Sequence, residues 1–208
     1  MNTNKPYYHG SARQIPGNHL MPYDQWNSVQ NTRVCGAFVT SDIDYAKFFA
    51  LNKCISGPGQ VKLDNKKIYL ERLADKIKPH FYVYTVYETP DLTFIHDRGT
   101  EYYSETPIKI AEIQKYNTGT ELDELGFEVY VLDEPFNANK DDMTHAKDNS
   151  ARQNYMSSAI QQGKYHRVNI TKLLQQQKNN TLKNAMNKFL LKVHSLSNWL
   201  QNSGNSNA

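Results

Sequence analysis

His9 is the residue whose setting looks most like that of a working group. It follows the β-type pair Tyr7-Tyr8 and directly precedes Gly10-Ser11. An imidazole titrates near neutral pH, so there it can donate to a ligand hydroxyl. Gly10, with no Cβ, lets a ligand come close to the backbone. The plain alternative is a histidine that caps a turn. Other chemistries find no footing. The seven histidines (9, 19, 80, 96, 145, 166 and 194) have no paired spacing, and Cys35 and Cys54 stand far apart, so no metal pattern exists. There is no phosphate-cradling glycine loop with a lysine, no dinucleotide glycine fingerprint and no nucleophile elbow. Nucleotide kinases, dinucleotide-fold dehydrogenases and serine hydrolases therefore drop out as leading readings.

A strand-rich core would position His9. Residues 7–11 read as a short strand running into a turn, with Gly10 permitting the bend. Residues 12–33 hold Pro16, Gly17 and Pro22 without a sustained period and read as a loop with a helical turn. Residues 36–41 read as a strand. Ser41 and Asp42 are good helix caps, and a helix follows from Ile43 to about Lys53, where Ser56-Gly57-Pro58-Gly59 stops it. Residues 60–80 are mixed, a short strand and a helix over Tyr69 to Lys76. Residues 81–88, 107–116 and 127–132 have the β-branched and aromatic density of strands.

Beyond Pro135 the pattern changes. Residues 136–150 read as a polar linker, and 151–163 and 169–178 as helical. Residues 181–201 are the clearest helix: Leu182, Ala185, Met186, Phe189, Leu190, Val193, Leu196 and Leu200 recur at spacings of three and four. The stripe is read as a core-packing face, with an exposed partner-binding or membrane-surface helix as the alternative. Residues 202–208 read as a disordered tail. The expected fold class is α+β, with a core over 1–135 and a basic helical extension over 136–208.

Three segments, in order, carry a resemblance. The first is Tyr7-Tyr8-His9-Gly10-Ser11. The second is Phe38-Val39-Thr40-Ser41-Asp42, with Tyr45-Ala46-Lys47-Phe48-Phe49-Ala50 on the helix behind it. The third is the strand Tyr82 to Glu88, a variable turn, and Glu101-Tyr102-Tyr103-Ser104-Glu105-Thr106-Pro107-Ile108-Lys109-Ile110. Together they resemble the small ADP-ribosyltransferase fold, most similar to the rifamycin-modifying ADP-ribosyltransferases and their bacterial and phage relatives. The resemblance covers about residues 7–116.

It implies a split, twisted β-sandwich around an NAD cleft, with NAD as substrate. Nicotinamide leaves the ribose through an oxocarbenium-like transition state, as in glycoside hydrolysis. The resemblance implies that His9 binds a ribose hydroxyl and that Gly10 offers backbone hydrogen bonds to the nicotinamide amide. Phe38 would stack on the nicotinamide, where the family usually has Tyr; it keeps the ring and loses the hydroxyl. Tyr45 would form a second wall, and Tyr8, Ser11 and Thr40 complete the NAD-binding set. The carboxylate beside the developing positive charge would be Glu101, with Asp97 second and Asp91 in the same turn; alternatively all three are ordinary surface acids. The implied activity is mono-ADP-ribosyl transfer from NAD to an unknown acceptor, whether protein, nucleic acid or small molecule. Its alternatives are an NAD hydrolase and a non-catalytic binding protein on the same fold, which would engage a protein or nucleic-acid partner through its basic C-terminal segment.

Charge adds an asymmetry. Residues 149–208 hold eight basic and no acidic side chains, while residues 1–148 hold 16 basic and 21 acidic. The basic stretch either contacts nucleic acid or another polyanion or docks on an acidic body. Aromatics make up 12% of the 208 residues, including 14 Tyr, enough ring surface to argue for packed structure. No apolar run approaches the roughly 18 residues a membrane helix needs, so no membrane partner is expected. Met1 to Pro6 hold no apolar signal core, and two cysteines make no disulfide framework. The expected location is the cytoplasm, a host's cytoplasm if the chain is viral.

Overall fold

The run His80-Phe81-Tyr82-Val83-Tyr84-Thr85-Val86-Tyr87 buries side chains on both of its faces, Phe81 and Val83 on one and Tyr84 and Val86 on the other. Such a run belongs in the middle of a sheet covered on both sides. The computed structural model describes residues 5–27, 32–87, 91–95, 100–134 and 145–204, and within these it leaves the side chains of 25–27, 32–33, 145–150 and 191–204 undescribed. The elements are β1 (Pro6–Ser11), β2 (His19–Leu20), β3 (Tyr23–Asn27), β4 (Thr32–Thr40), α1 (Ile43–Ile55), β5 (Val61–Asp64), β6 (Lys67–Leu70), β7 (His80–Tyr87), β8 (Thr93–Phe94), β9 (Glu101–Ser104), β10 (Ile108–Asn117), α2 (Thr118–Glu124), β11 (Glu128–Leu132), α3 (His145–Gln161), β12 (Tyr165–Val168) and α4 (Ile170–Gly204).

The fold class is α+β. An eight-stranded antiparallel sheet has the order β2-β10-β7-β1-β4-β9-β8, with β3 paired to β4. A four-stranded sheet has the order β12-β11-β6-β5, with β6 and β11 parallel and the other pairs antiparallel. By contacts the chain divides into two compact units, Met1–Val168 and Asn169–Ala208. Both sheets lie in the first; α4 forms the second.

The larger sheet has a core on each face. One gathers Tyr7, Leu20, Ala37, Val39, Tyr84, Val86, Ile108 and Ile110. On the other, α1 buries Ala46, Ala50, Leu51, Cys54 and Ile55, a stripe with the spacing of one helical face. Helix α1 begins where the sequence places it. The Asp42 carboxylate accepts from the backbone N–H groups of Asp44 and Tyr45, and Ser56 closes the far end.

Several sequence expectations are corrected. Gly10 makes no bend. It lies within β1, paired with Val83, and a Cβ there would sit 1.9 Å from the Ala46 carbonyl oxygen and 3.1 Å from the Ala50 Cβ. The glycine is a site of close approach between strand and helix. Residues 12–33 are not simply a loop: β2 pairs with β10, and β3 pairs with β4. No helix spans Tyr69 to Lys76, because Lys67–Leu70 is a strand between β5 and β11. Beyond residue 135 the chain is not purely helical. Strand β12 joins β11 at the edge of the smaller sheet, and α3 starts within the expected linker, at His145. Residues 169–178 and 181–201 form one helix, which runs on through Asn202 to Gly204 in the expected tail; residues 205–208 lie outside the described residues. The stripe on that helix, read as a core face, is exposed at Leu182, Met186, Phe189 and Leu190.

Helix α3 is fastened to the smaller sheet by a buried ion pair. Arg152 Nη1 donates to both Glu71 carboxylate oxygens at 2.9 and 3.1 Å, and the Gln60 N–H donates to Glu71 Oε2 at 3.0 Å. The Glu71 side chain has no exposed surface. Removing one partner of such a pair leaves an uncompensated buried charge. Arg152→Ala is therefore expected to cost about 3–5 kcal/mol in urea unfolding. Gly10→Ala drives a methyl into helix backbone that cannot swing aside, and we expect a loss of about 3 kcal/mol or more, read as a fall in Tm.

Candidate functional site

Residues directly opposite in antiparallel strands point to the same face of a sheet. Tyr8 lies opposite Thr40, Thr40 opposite Glu101, and Tyr8 also opposite Thr85. These four side chains therefore form one rung. Gly10, two residues from Tyr8, meets α1, so the rung lies on the helix-bearing face. The helix start brings Tyr45 to the rung, and its hydroxyl donates to Glu101 Oε1 at 2.9 Å. Thr40 helps to set that start, since its Oγ1 accepts from the Asp42 N–H at 3.1 Å.

Phe38 and Tyr103 pair opposite one another two residues along. Their ring centroids are 6.0 Å apart, and Phe38 lies 5.9 Å from Tyr23 at an edge-on angle. Gly36 leaves room for the Tyr103 ring, whose nearest carbon lies 2.9 Å from where a Cβ would stand. The result is an aromatic shelf on the rung's face, with Tyr23 45% exposed at its rim. Such a shelf can stack a planar ring, and the nearby carboxylate can stabilise a positive charge.

His9 sits differently. Its register partner is Tyr84, whose ring lies 6.1 Å away on the face opposite Glu101. Strand β1 pairs with β7 from Pro6 to Ser11 but with β4 only at Tyr8 and Thr40. Beyond that point the imidazole bridges toward β4, with Nδ1 2.8 Å from the Phe38 carbonyl oxygen. A carbonyl only accepts, so Nδ1 carries the proton. Burial lowers the His9 pKa from its ordinary value, against the opposing effect of that backbone hydrogen bond. The ring is then neutral at pH 7, and Nε2 is an acceptor. The expectation that His9 donates to a ligand hydroxyl is reversed: Nδ1–H is held by Phe38, and Nε2 can only accept. The Tyr84 hydroxyl accepts from the Ile15 N–H at 2.6 Å, which folds the segment after Ser11 back over this side.

Of the expected site residues, the structure brings together Tyr8, Phe38, Thr40, Tyr45 and Glu101. It sets His9 and Ser11 on the opposite face and places Gly10 beneath α1. Asp91 lies elsewhere, accepting from the Thr106 hydroxyl at 3.1 Å. Asp97 lies outside the described residues. Among the described residues no three His, Cys, Asp or Glu side chains gather to hold a metal ion.

Sequence reasoning missed two features of this face. A bulge in β10 between Ile110 and Glu112 brings Glu112 opposite Thr85, so the rung runs Glu112–Thr85–Tyr8–Thr40–Glu101 across five strands with a carboxylate at each end. The bulge is a one-residue register shift, which no local residue pattern announces. The second feature is Lys47, whose Nζ bonds Glu121 and stands 4.6 Å over the Tyr116 ring. Burial pulls its pKa down, but the Glu121 hydrogen bond and charge outweigh this and raise it, so the lysine stays charged. Glu121 lies 74 residues away, too far for spacing to reveal the pair.

The lowered His9 pKa has a consequence for stability. The unfolded chain binds a proton near pH 6.5 that the folded chain refuses until lower pH. The His9 contribution is thus fully present above about pH 6.5 and is lost as pH falls toward the folded value. We expect unfolding free energy to drop with acidification below that point, and His9→Gln to flatten this part of the profile, as read by urea melts at stepped pH. Comparison of the chain with protein-family models, with curated proteins and with solved structures returned no match.

Proposed function

We propose that the chain transfers ADP-ribose from NAD to an acceptor, with its two sheets acting as a split β-sandwich and the β1–β4 divergence marking the NAD cleft. The observation that carries this reading is the Tyr8–Thr40–Glu101 rung, with the Tyr45 hydroxyl on the carboxylate and the Phe38–Tyr103 shelf beside it.

In this reading the nicotinamide ring stacks on Phe38, within the Tyr23–Phe38–Tyr103 group. The bond from ribose C1′ to the ring nitrogen breaks, and its electron pair leaves with nicotinamide. Positive charge gathers on the ribose, where the Glu101 carboxylate stabilises it. An acceptor nucleophile bonds to C1′ and gives its proton to Glu101. Tyr45 donates to Glu101 Oε1 and so holds the carboxylate in place. His9, on the other face of the sheet, bonds the Phe38 carbonyl and steadies the strand that carries the shelf.

Glu101→Gln separates charge from geometry, because the amide oxygen still accepts from Tyr45. Incubation with labelled NAD and a bacterial lysate is expected to mark a discrete acceptor with the natural chain. With Glu101→Gln it should mark that acceptor at least about 100-fold more slowly. Equal labelling by the variant, or no change in Tm on adding NAD, overturns the reading. Nicotinamide release with no labelled acceptor would make the protein a hydrolase instead.

A further inference from the structure

Helix α4 (Ile170–Gly204) carries an exposed apolar face with only basic charge around it. Leu182, Met186, Phe189 and Leu190 are 60%, 64%, 65% and 56% exposed. At about 100° per residue they fall within an arc of about 100°. The sequence continues the spacing with Val193, Leu196 and Leu200. Lys183 falls at the edge of the arc, next to Leu190, and Lys188 falls on the far side of the helix. From residue 169 to 208 there are five lysines and no Asp or Glu.

Three occupants compete for such a face. A second copy in parallel register would set Lys178 against Lys183 of its mate, and five positive charges against five more. The apolar spacing also fails at Gln175 and Asn179, so a coiled-coil seam would cover only the later turns. A nucleic acid would satisfy the lysines and leave the leucines and Phe189 in water. An anionic lipid surface satisfies both. It takes apolar side chains into the acyl boundary without requiring shape complementarity, and its headgroups meet lysines at the edge of the stripe. Among the described residues no helix is long and apolar enough to cross a membrane. Lying in the surface is a different demand, met by an amphipathic helix of low mean hydropathy.

We propose that α4 lies on an anionic phospholipid surface, with the Leu182–Met186–Phe189–Leu190 face in the acyl boundary and its lysines among the headgroups. The test is co-sedimentation of the full chain with phosphatidylcholine vesicles containing about one third phosphatidylglycerol. Pure phosphatidylcholine vesicles are expected to hold at least about tenfold less protein. Phe189→Glu combined with Leu190→Glu should drop binding to that level while circular dichroism stays that of the natural chain. Lys178→Glu combined with Lys183→Glu, the lysines at the two edges of the arc, leaves the apolar face whole and should weaken binding by about fivefold or more per lysine. Three results would overturn the proposal: no binding to anionic vesicles, salt-sensitive binding that ignores the Phe189 and Leu190 changes, or a vesicle-free dimer that those changes abolish.

Discussion

The contact on which the first unit depends is the one between Gly10 and the backbone of α1. A Cβ at residue 10 would lie 1.9 Å from the Ala46 carbonyl oxygen, well inside contact distance, so helix and strand touch main chain to main chain. Small residues at Ala46 and Ala50 match that closeness from the helix side. This depth sets how far the side chains of α1 reach. Tyr45 and Lys47 flank Ala46 in sequence and leave the helix to either side of the contact. One meets Glu101 across β4 and β9; the other meets Glu121 and Tyr116 across β10. A helix seated farther out would put both polar ends beyond hydrogen-bond range. The packing of a glycine thus decides the position of a carboxylate two strands away.

The partial pairing of β1 with β4 has a second effect. A strand that leaves its neighbour exposes backbone groups that need partners. Here a side chain supplies one, since the His9 imidazole satisfies the Phe38 carbonyl. The hydrogen bond fixes the tautomer, and burial keeps the ring neutral. Histidine suits the position because one nitrogen can mend the sheet while the other remains an acceptor. A lysine or arginine could fill the first role but would have no lone pair for the second.

Part of this was legible in the sequence. Asp42 ahead of an apolar helical stripe announced α1, and the Phe81–Tyr87 run announced β7, because both signals are local. The β3 strand was not legible. Tyr23 to Asn27 is polar and lacks strand alternation; it is made a strand by pairing with Thr32 to Gly36. Tyr69 to Lys76 has the apolar spacing of a helix turn, yet Tyr69 and Leu70 are buried between β5 and β11, partners that no local window contains. Of the residues expected at the site, Tyr8, Phe38, Thr40, Tyr45 and Glu101 share one face, while His9 and Ser11 lie on the other, and no local pattern shows that division. Strand neighbours such as Tyr8 and His9 diverge by the pleat, and only the paired register says which of them faces Glu101. Glu112 was hidden for the same reason, with a bulge added.

The two units treat charge in opposite ways. In the first, acids that are withdrawn from water are matched: Glu71 by Arg152, Glu121 by Lys47. Each pair lies far apart in sequence, so each also ties one element to another. In the second unit no acid exists to match the lysines, and Leu182, Met186, Phe189 and Leu190 are left exposed. A lone helix of this kind gains little from its own side chains, since Lys178 and Lys183 have no glutamate at the helical spacing that would offset them. Uncompensated positive charge beside an uncovered apolar face is costly for an isolated helix in water and favourable against a surface that is negative outside and apolar beneath. On the reading proposed for α4, the counter-charge and the cover are supplied from outside the helix itself.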